Sequence, residues 1–162
     1  MKTLIVYASW FGHNRAVARA IALELARCGV SVSCRPASRV TKDDIAGYDL
    51  LVLGTYTHAG RASRRLHALC EAIPHRLFGR LEVAIFGTQS PQELGDRRPS
   101  GVSELTTALA ERGVDLALEP LTIGLRRPAA FLPWRGIGAA ERRQIKEYVA
   151  DLWEASVPEP IL

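Results

Sequence analysis

Three short segments bring together residue types able to grip a phosphorylated, planar ligand. Ser9-Trp10-Phe11-Gly12-His13-Asn14 follows an apolar run and precedes a stretch of helical periodicity. A helix starting near Asn14 or Arg15 would expose unpaired N–H groups and the positive end of its macrodipole. Gly12 would let the backbone approach an anion closely, and phosphate is the expected anion. The competing reading is that Ser9 and Asn14 cap a helix while Gly12 makes a turn. Gly54-Thr55-Tyr56-Thr57-His58-Ala59-Gly60 again combines hydroxyls, small residues and planar side chains, suited to the edge of a flat polar ring. The third segment runs from Gly87, Thr88, Gln89 and Ser90 to Asp96, and polar loops of that length in compact chains tend to carry function. Just beyond the second segment stand Arg61, Arg64 and Arg65. They can attract the phosphate of a pyridine nucleotide, the charge developing on a quinone or an acidic partner, or else form a solvated face.

Other chemistries lack their parts. No Lys-Ser or Lys-Thr follows Gly12, so the first segment is not a nucleotide P-loop, and only one of the three dinucleotide-binding glycines is present. Gly-x-Ser-x-Gly is absent. His13 is placed to face a phosphate or a quinone and His58 to lie on a ring, while His67 and His75 read as surface residues. No two histidines have metal-ligand spacing, so no metal site is expected. Cys28, Cys34 and Cys70 form neither a two-residue-spaced pair nor an even set, and are read as small buried hydrophobes.

The positioning elements alternate. Apolar runs at Thr3 to Ala8, Val30 to Cys34, Leu50 to Thr55, Glu82 to Gly87 and Leu116 to Ile123 predict five strands. All but the second and last are continuously apolar, as strands buried on both faces are. Between them run helical repeats: Val17, Ile21 and Leu25; Leu66, Cys70, Ile73 and Leu77; Leu105 and Leu109; Ile145, Val149 and Trp153. Thr41 to Ala46 predicts a turn or two of helix with Thr41 as cap. Gly29 and Gly113 predict left-handed helix ends. Right-handed crossovers make this an α/β, three-layer, doubly wound five-stranded parallel sheet of order 2-1-3-4-5. Ligands bind such a sheet at the strand ends where the winding reverses, between strands one and three. A single domain is expected over 1–156, with a loose tail at 157–162. The stretch Arg126 to Gly138 carries no periodicity.

The chain has 162 residues, 48% of them hydrophobic and 23% charged, which excludes wholesale disorder and collagen-like or low-complexity architectures. Its longest apolar run falls far short of a membrane span, and the N-terminal run is too short for a signal peptide, so a cytoplasmic protein is expected. Net charge is +4, spread along the chain without the basic stripe of a nucleic-acid-binding face, so no nucleic-acid partner is expected.

Together the three loops and the alternating elements resemble the flavodoxin-like family, from about Lys2 to Leu152. In the phosphate loop Ser9 and Gly12 match, while Phe11 and Asn14 replace the usual hydroxyls. That departure is similar to the FMN-dependent NAD(P)H:quinone oxidoreductases related to the tryptophan-repressor-binding protein, whose loop Ser9, Phe11, Gly12 and His13 approximate. Gly54-Thr55, Thr57 and Gly60 resemble that branch's second loop. The resemblance implies FMN as cofactor, its phosphate on Ser9, Trp10, Phe11, Gly12, His13 and Asn14. Its ring would then lie between Thr55, Tyr56, Thr57, His58, Ala59 and Gly60 on one side and Thr88, Gln89 and Ser90 on the other. Where the family has ring-stacking aromatics this chain has His58 and a position near Leu94, so Tyr56, Trp10 and Trp134 are the substitutes to weigh against plain packing roles. It further implies electron transfer with a redox partner protein or a small acceptor such as a quinone. The alternatives are NAD(P)H-dependent quinone reduction, a protoporphyrinogen-oxidase-like enzyme, and a cofactor-free scaffold in which Trp10 and Phe11 fill the cradle. A phosphoacceptor receiver domain is disfavoured, because Ser9 and Thr55 to Thr57 stand where its aspartates belong. Flavodoxins resemble one another in being strongly acidic, and this basic chain is expected to hold a flavin at a less negative potential.

Overall fold

The computed structural model describes residues 1–90, 99–125 and 136–156. Positions 91–96 of the third loop, including Leu94, the stretch 126–135 with Trp134, and the tail 157–162 lie outside the described residues. In chain order the elements are β1 (Lys2–Tyr7), α1 (His13–Arg27), β2 (Ser31–Pro36), a 3-10 turn (Ala37–Arg39), α2 (Lys42–Ile45), β3 (Leu50–Tyr56), α3 (Arg64–Ala72), α4 (His75–Phe78), β4 (Glu82–Gln89), α5 (Gly101–Ala110), β5 (Leu121–Gly124) and α6 (Ala139–Ser156). The five strands pair in parallel in the order β2-β1-β3-β4-β5. The predicted fold is the fold observed.

Alternation along the strands divides the core into two layers. Leu4, Val6, Leu51, Leu53, Val83 and Ile85 face one side, packed on Leu66, Leu69 and Cys70 of α3 and Val102, Leu105 and Leu109 of α5. Ile5, Leu50, Val52, Ala84 and Phe86 face the other, against Val17, Ile21 and Leu25 of α1 and Ile145, Val149 and Leu152 of α6. Each covered face needs a crossover helix, and β1 and β3 send theirs to opposite faces, which opens the crevice at their carboxyl ends.

Helix ends follow their chemistry. Gly29 and Gly113 have φ of 79° and 75°. In each case the glycine N–H and the next residue's N–H fold back, Gly29 to Ala26 and Val30 to Leu25, Gly113 to Ala110 and Val114 to Leu109. These are Schellman ends, and the Val that follows re-enters the sheet or its layer. At α2, Thr41 and Asp44 form a reciprocal capping box, whose hydrogen bonds from Thr41 hold the exposed Asp44 carboxyl below its ordinary range.

Three expectations need correction. The repeat from Leu66 to Leu77 is not one helix, because Pro74 forces Ile73 into an extended conformation (φ −65°, ψ 122°) and splits it into α3 and α4. The last strand does not run from Leu116. Leu116 makes a single bridge to Val83, and β5 begins only at Leu121, beyond Pro120, which has no N–H to donate. Of the cysteines only Cys70 is buried, with its thiol pushed up to about 12. Cys34 is half-buried and Cys28 is exposed in the cap of α1.

β4 is tied to the helix above it. The Val83 carbonyl accepts from Ala117 N–H, β5 joins the ladder opposite Phe86, and the Tyr148 hydroxyl of α6 donates to the Ile85 carbonyl at 3.1 Å. Burial pushes that phenol's pKa up. Tyr148→Phe will remove this buried hydrogen bond and lower unfolding stability by about 0.5–1.5 kcal/mol, read by urea denaturation.

Candidate functional site

At the first loop, α1 starts at His13 and Gly12 is its cap, with φ 86° and ψ −2°. That left-handed conformation suits glycine. The cap has no side chain to offer and the first turn contains no acidic residue, so the start of α1 carries no side-chain cap or charge of its own to offset its positive end. Asn14 is 1% exposed and its Nδ2 donates to the Ala8 carbonyl at 2.9 Å, pinning the loop shut from strand to helix. Its Oδ1 and the Ser9 hydroxyl are shielded from solvent with no hydrogen-bond partner among the described residues. Each such group costs about 1–3 kcal/mol until a partner arrives. The two orphans ask for different partners: a hydroxyl can donate to a phosphate oxygen, whereas an amide oxygen only accepts and suits a ligand hydroxyl.

Trp10 and Phe11 do not plug this cradle. They are 62% and 48% exposed. Trp10 lies 6.3 Å from Phe11, 5.6 Å from Tyr56 and, edge-on, 4.8 Å from His58.

The second loop is built more tightly than its sequence suggests. His58 and Arg61 exchange backbone hydrogen bonds of 2.9 and 3.0 Å around Ala59 (φ 51°) and Gly60 (φ 76°), the two left-handed centres of a two-residue turn. Alanine there carries strain of about 1–2 kcal/mol, which the surroundings must hold. They do. The Thr55 hydroxyl, fully buried, accepts from Ser63 N–H at 3.1 Å and donates to the Tyr56 carbonyl, and Thr57 Oγ1 accepts from Gly101 N–H at 2.9 Å. Glu104 of α5 accepts from Ala62 N–H at 2.5 Å. Both threonine hydroxyls read as ligand-facing are thus engaged in holding the loop. Glu104 and Gly101, which sequence reasoning missed, are its anchors. The only local signal was the helix start at Ser100, which forms a capping box with Ser103.

Two cavities flank this loop. One of about 880 Å3 is lined by Thr57, Ala59 and Gly60, facing Ser90, Pro99 and Ser100 across the gap. A second, of about 640 Å3, lies on the β1 side against Ser9, Trp10, Tyr56 and His58. Both volumes fall in the range of ligand sites. From the third loop, Thr88 is buried at the end of β4, opposite Ile123 in the register, and Gln89 holds Leu125 N–H through its carbonyl. His67 stands 3.7 Å from Glu71 and lines the 880 Å3 cavity, while His75 packs edge-on against Phe78.

A doubly wound parallel sheet with an anion cradle and facing loops at its switch point defines a ligand-binding α/β protein. The profile of the flavodoxin domain matches residues 4–99, more than half of the chain, and the chain belongs to that family. Its structure is similar to the short-chain flavodoxin associated with a non-canonical PDU bacterial microcompartment (TM-score 0.76, 19% identity, covering 97% of this chain and 99% of that one). It is similar as well to oxidised flavodoxin 1 from Bacillus cereus (0.74, 17%, 95% and 98%). The likeness extends to rubredoxin oxygen:oxidoreductase from Desulfovibrio gigas (0.73, 17%), where 95% of this chain covers 35% of that one. At such identities the likeness is one of fold. No protein of curated function matches the sequence. Among the described residues no helix is long and apolar enough to cross a membrane.

Proposed function

We propose that this protein binds FMN and works as an electron carrier. The observation that carries the reading is the buried Ser9 hydroxyl, without a partner among the described residues, beside the uncapped first turn of α1, a site that asks for an anionic acceptor. Family membership supports a flavin as the ligand bearing that anion. In this reading Ser9 and the α1 N–H groups hold the phosphate, and Asn14 keeps the loop closed and offers Oδ1 to a hydroxyl of the sugar chain. Ala59, Gly60 and Ser90 line the ring slot. The flavin, when bound, supplies reversible electron uptake. The protein sets how exposed the ring is and what charge surrounds it.

Titrating the protein with FMN and riboflavin in parallel, by flavin fluorescence, tests this. FMN is expected to bind at least tenfold more tightly than riboflavin, which lacks the phosphate. Equal binding, or none, removes the reading. The surrounding charge has a second consequence. The fully reduced flavin is negative, and a chain of net charge +4 favours it where an acidic chain opposes it. Spectroelectrochemistry of the loaded protein will give a final reduction step less negative than that of acidic flavodoxins. The donor and acceptor are a redox protein or a quinone-like molecule. NAD(P)H-dependent quinone turnover by the loaded protein would extend the reading to an oxidoreductase. Three free thiols suit a reducing compartment such as the cytoplasm.

A further inference from the structure

The arginines beyond the second loop are set against their own helix. Arg64 and Arg65 are the first two residues of α3, which has no acidic residue in its first turn and no side-chain bond from its cap, Ser63. A helix N-terminus is its positive end, so cations there oppose its field. Arg61 adds a third exposed guanidinium three residues earlier, and none of the three forms an ion pair among the described residues. Among the described residues nothing complements that arrangement, which calls for negative charge.

What adjoins the arginines narrows the kind of anion. The same three residues share the 640 Å3 cavity with Trp10, Tyr56 and His58. Trp10 and Phe11 stand more exposed than packing would leave them, stacked on one another at the rim. Trp, Tyr and Arg are the residue types that dominate binding energy at protein interfaces, as rigid contact area ringed by polar groups. A small anion would neutralise the arginines and leave these rings in water, whereas a protein surface covers both.

We propose that this arginine and aromatic surface docks an acidic electron-transfer protein, with carboxylates on Arg61, Arg64 and Arg65 and an apolar rim on Trp10 and Phe11. The redox character of the partner rests on the electron-carrier reading above. The sign of its charge rests on α3 alone.

The test uses the full chain, with and without FMN, and two probes of opposite charge: an acidic plant-type two-iron ferredoxin and the basic cytochrome c. Binding is measured at low ionic strength and again at about 0.2 M salt, where surface attraction is screened. The ferredoxin is expected to bind and cytochrome c not to. Arg64→Glu/Arg65→Glu will weaken ferredoxin binding at least tenfold at low salt, in the chain without FMN as well as in the loaded one. The same variant will raise the melting temperature, since acids at a helix start are favourable, which separates lost docking from lost folding. The control Arg142→Glu/Arg143→Glu makes the same change in net charge on exposed positions of α6 and will weaken binding far less. Trp10→Ala will weaken binding at both salt concentrations. Equal losses from the two arginine pairs, or a preference for cytochrome c, would each overturn the proposal. If ferredoxin binds in this pattern while FMN does not, the docking surface stands and the flavin reading falls.

Discussion

Ser9→Asp will abolish the preference for FMN over riboflavin and leave the protein folded. The Ser9 hydroxyl is shielded, without a partner among the described residues, beside the first turn of α1, whose N–H groups have no side-chain cap. A carboxylate placed there would satisfy those N–H groups itself, as an acidic residue at a helix start does, so stability should hold or rise. The phosphate would then meet a like charge. At about 5 Å and an effective dielectric of about 20 the repulsion is roughly 3 kcal/mol per unit charge, more than a hundredfold in affinity. Riboflavin carries no phosphate and should bind the variant about as it binds the parent. Ser9→Ala supplies the graded control. It removes one charge-assisted hydrogen bond, for a loss of about tenfold, and removes an orphan hydroxyl, so the unloaded protein should be no less stable. Parallel titrations with the two flavins and a melting curve of each variant decide the matter. A Ser9→Asp protein that keeps its affinity for FMN would place the phosphate elsewhere.

The parts of the molecule legible in the sequence are those whose cause is local. β1, β3 and β4 lie inside the sheet and are apolar on both faces, so their runs announce them. Their order follows from crossover handedness. The start of α1 after Ser9 and Gly12 was legible for the same reason, since these residues are neighbours in the chain. The edge strands were legible less sharply. β2 was read at Val30 to Cys34 and runs Ser31–Pro36, only partly buried along its length, while the start of β5 at Leu121 depends on Pro120 just before it. Cys28 misled because a small apolar residue inside a periodic stretch reads as core, while its place after Arg27 puts it in the exposed cap of α1. The second loop shows the limit more clearly. Thr57 Oγ1 accepts from Gly101 N–H, 44 residues on, while Thr57 still lines the 880 Å3 cavity, and the neighbouring Ala62 N–H is held by Glu104, 42 residues on. Which hydroxyls also hold the protein together is a tertiary fact that no spacing rule reports.

Gly101 concentrates that tertiary dependence in one atom, and Gly101→Ala will show it. A Cβ at this buried first residue of α5 would sit 2.4 Å from the Tyr56 carbonyl oxygen and 3.0 Å from the Ala62 Cα. Both neighbours are backbone, so no rotamer change relieves the contact, and either α5 or the second loop must retreat. Retreat stretches the Gly101 N–H bond to Thr57 and the Glu104 bond to Ala62, the two ties that hold the strained turn at Ala59 and Gly60. Overpacking of this kind costs about 1–3 kcal/mol, visible in urea denaturation. Gly79→Ala is the matched control, because nothing lies within 4 Å of its added methyl. That substitution should hold or raise stability by about 0.5 kcal/mol through the unfolded chain. The effect on ligand separates the two ends of the site. Ser9→Asp acts through the phosphate and spares riboflavin, whereas Gly101→Ala moves a wall of the ring slot and should weaken FMN and riboflavin alike, by about tenfold. If Gly101→Ala loses stability yet binds both flavins as the parent does, the ring lies clear of the second loop, and the 880 Å3 cavity between that loop and Ser90 is not its slot.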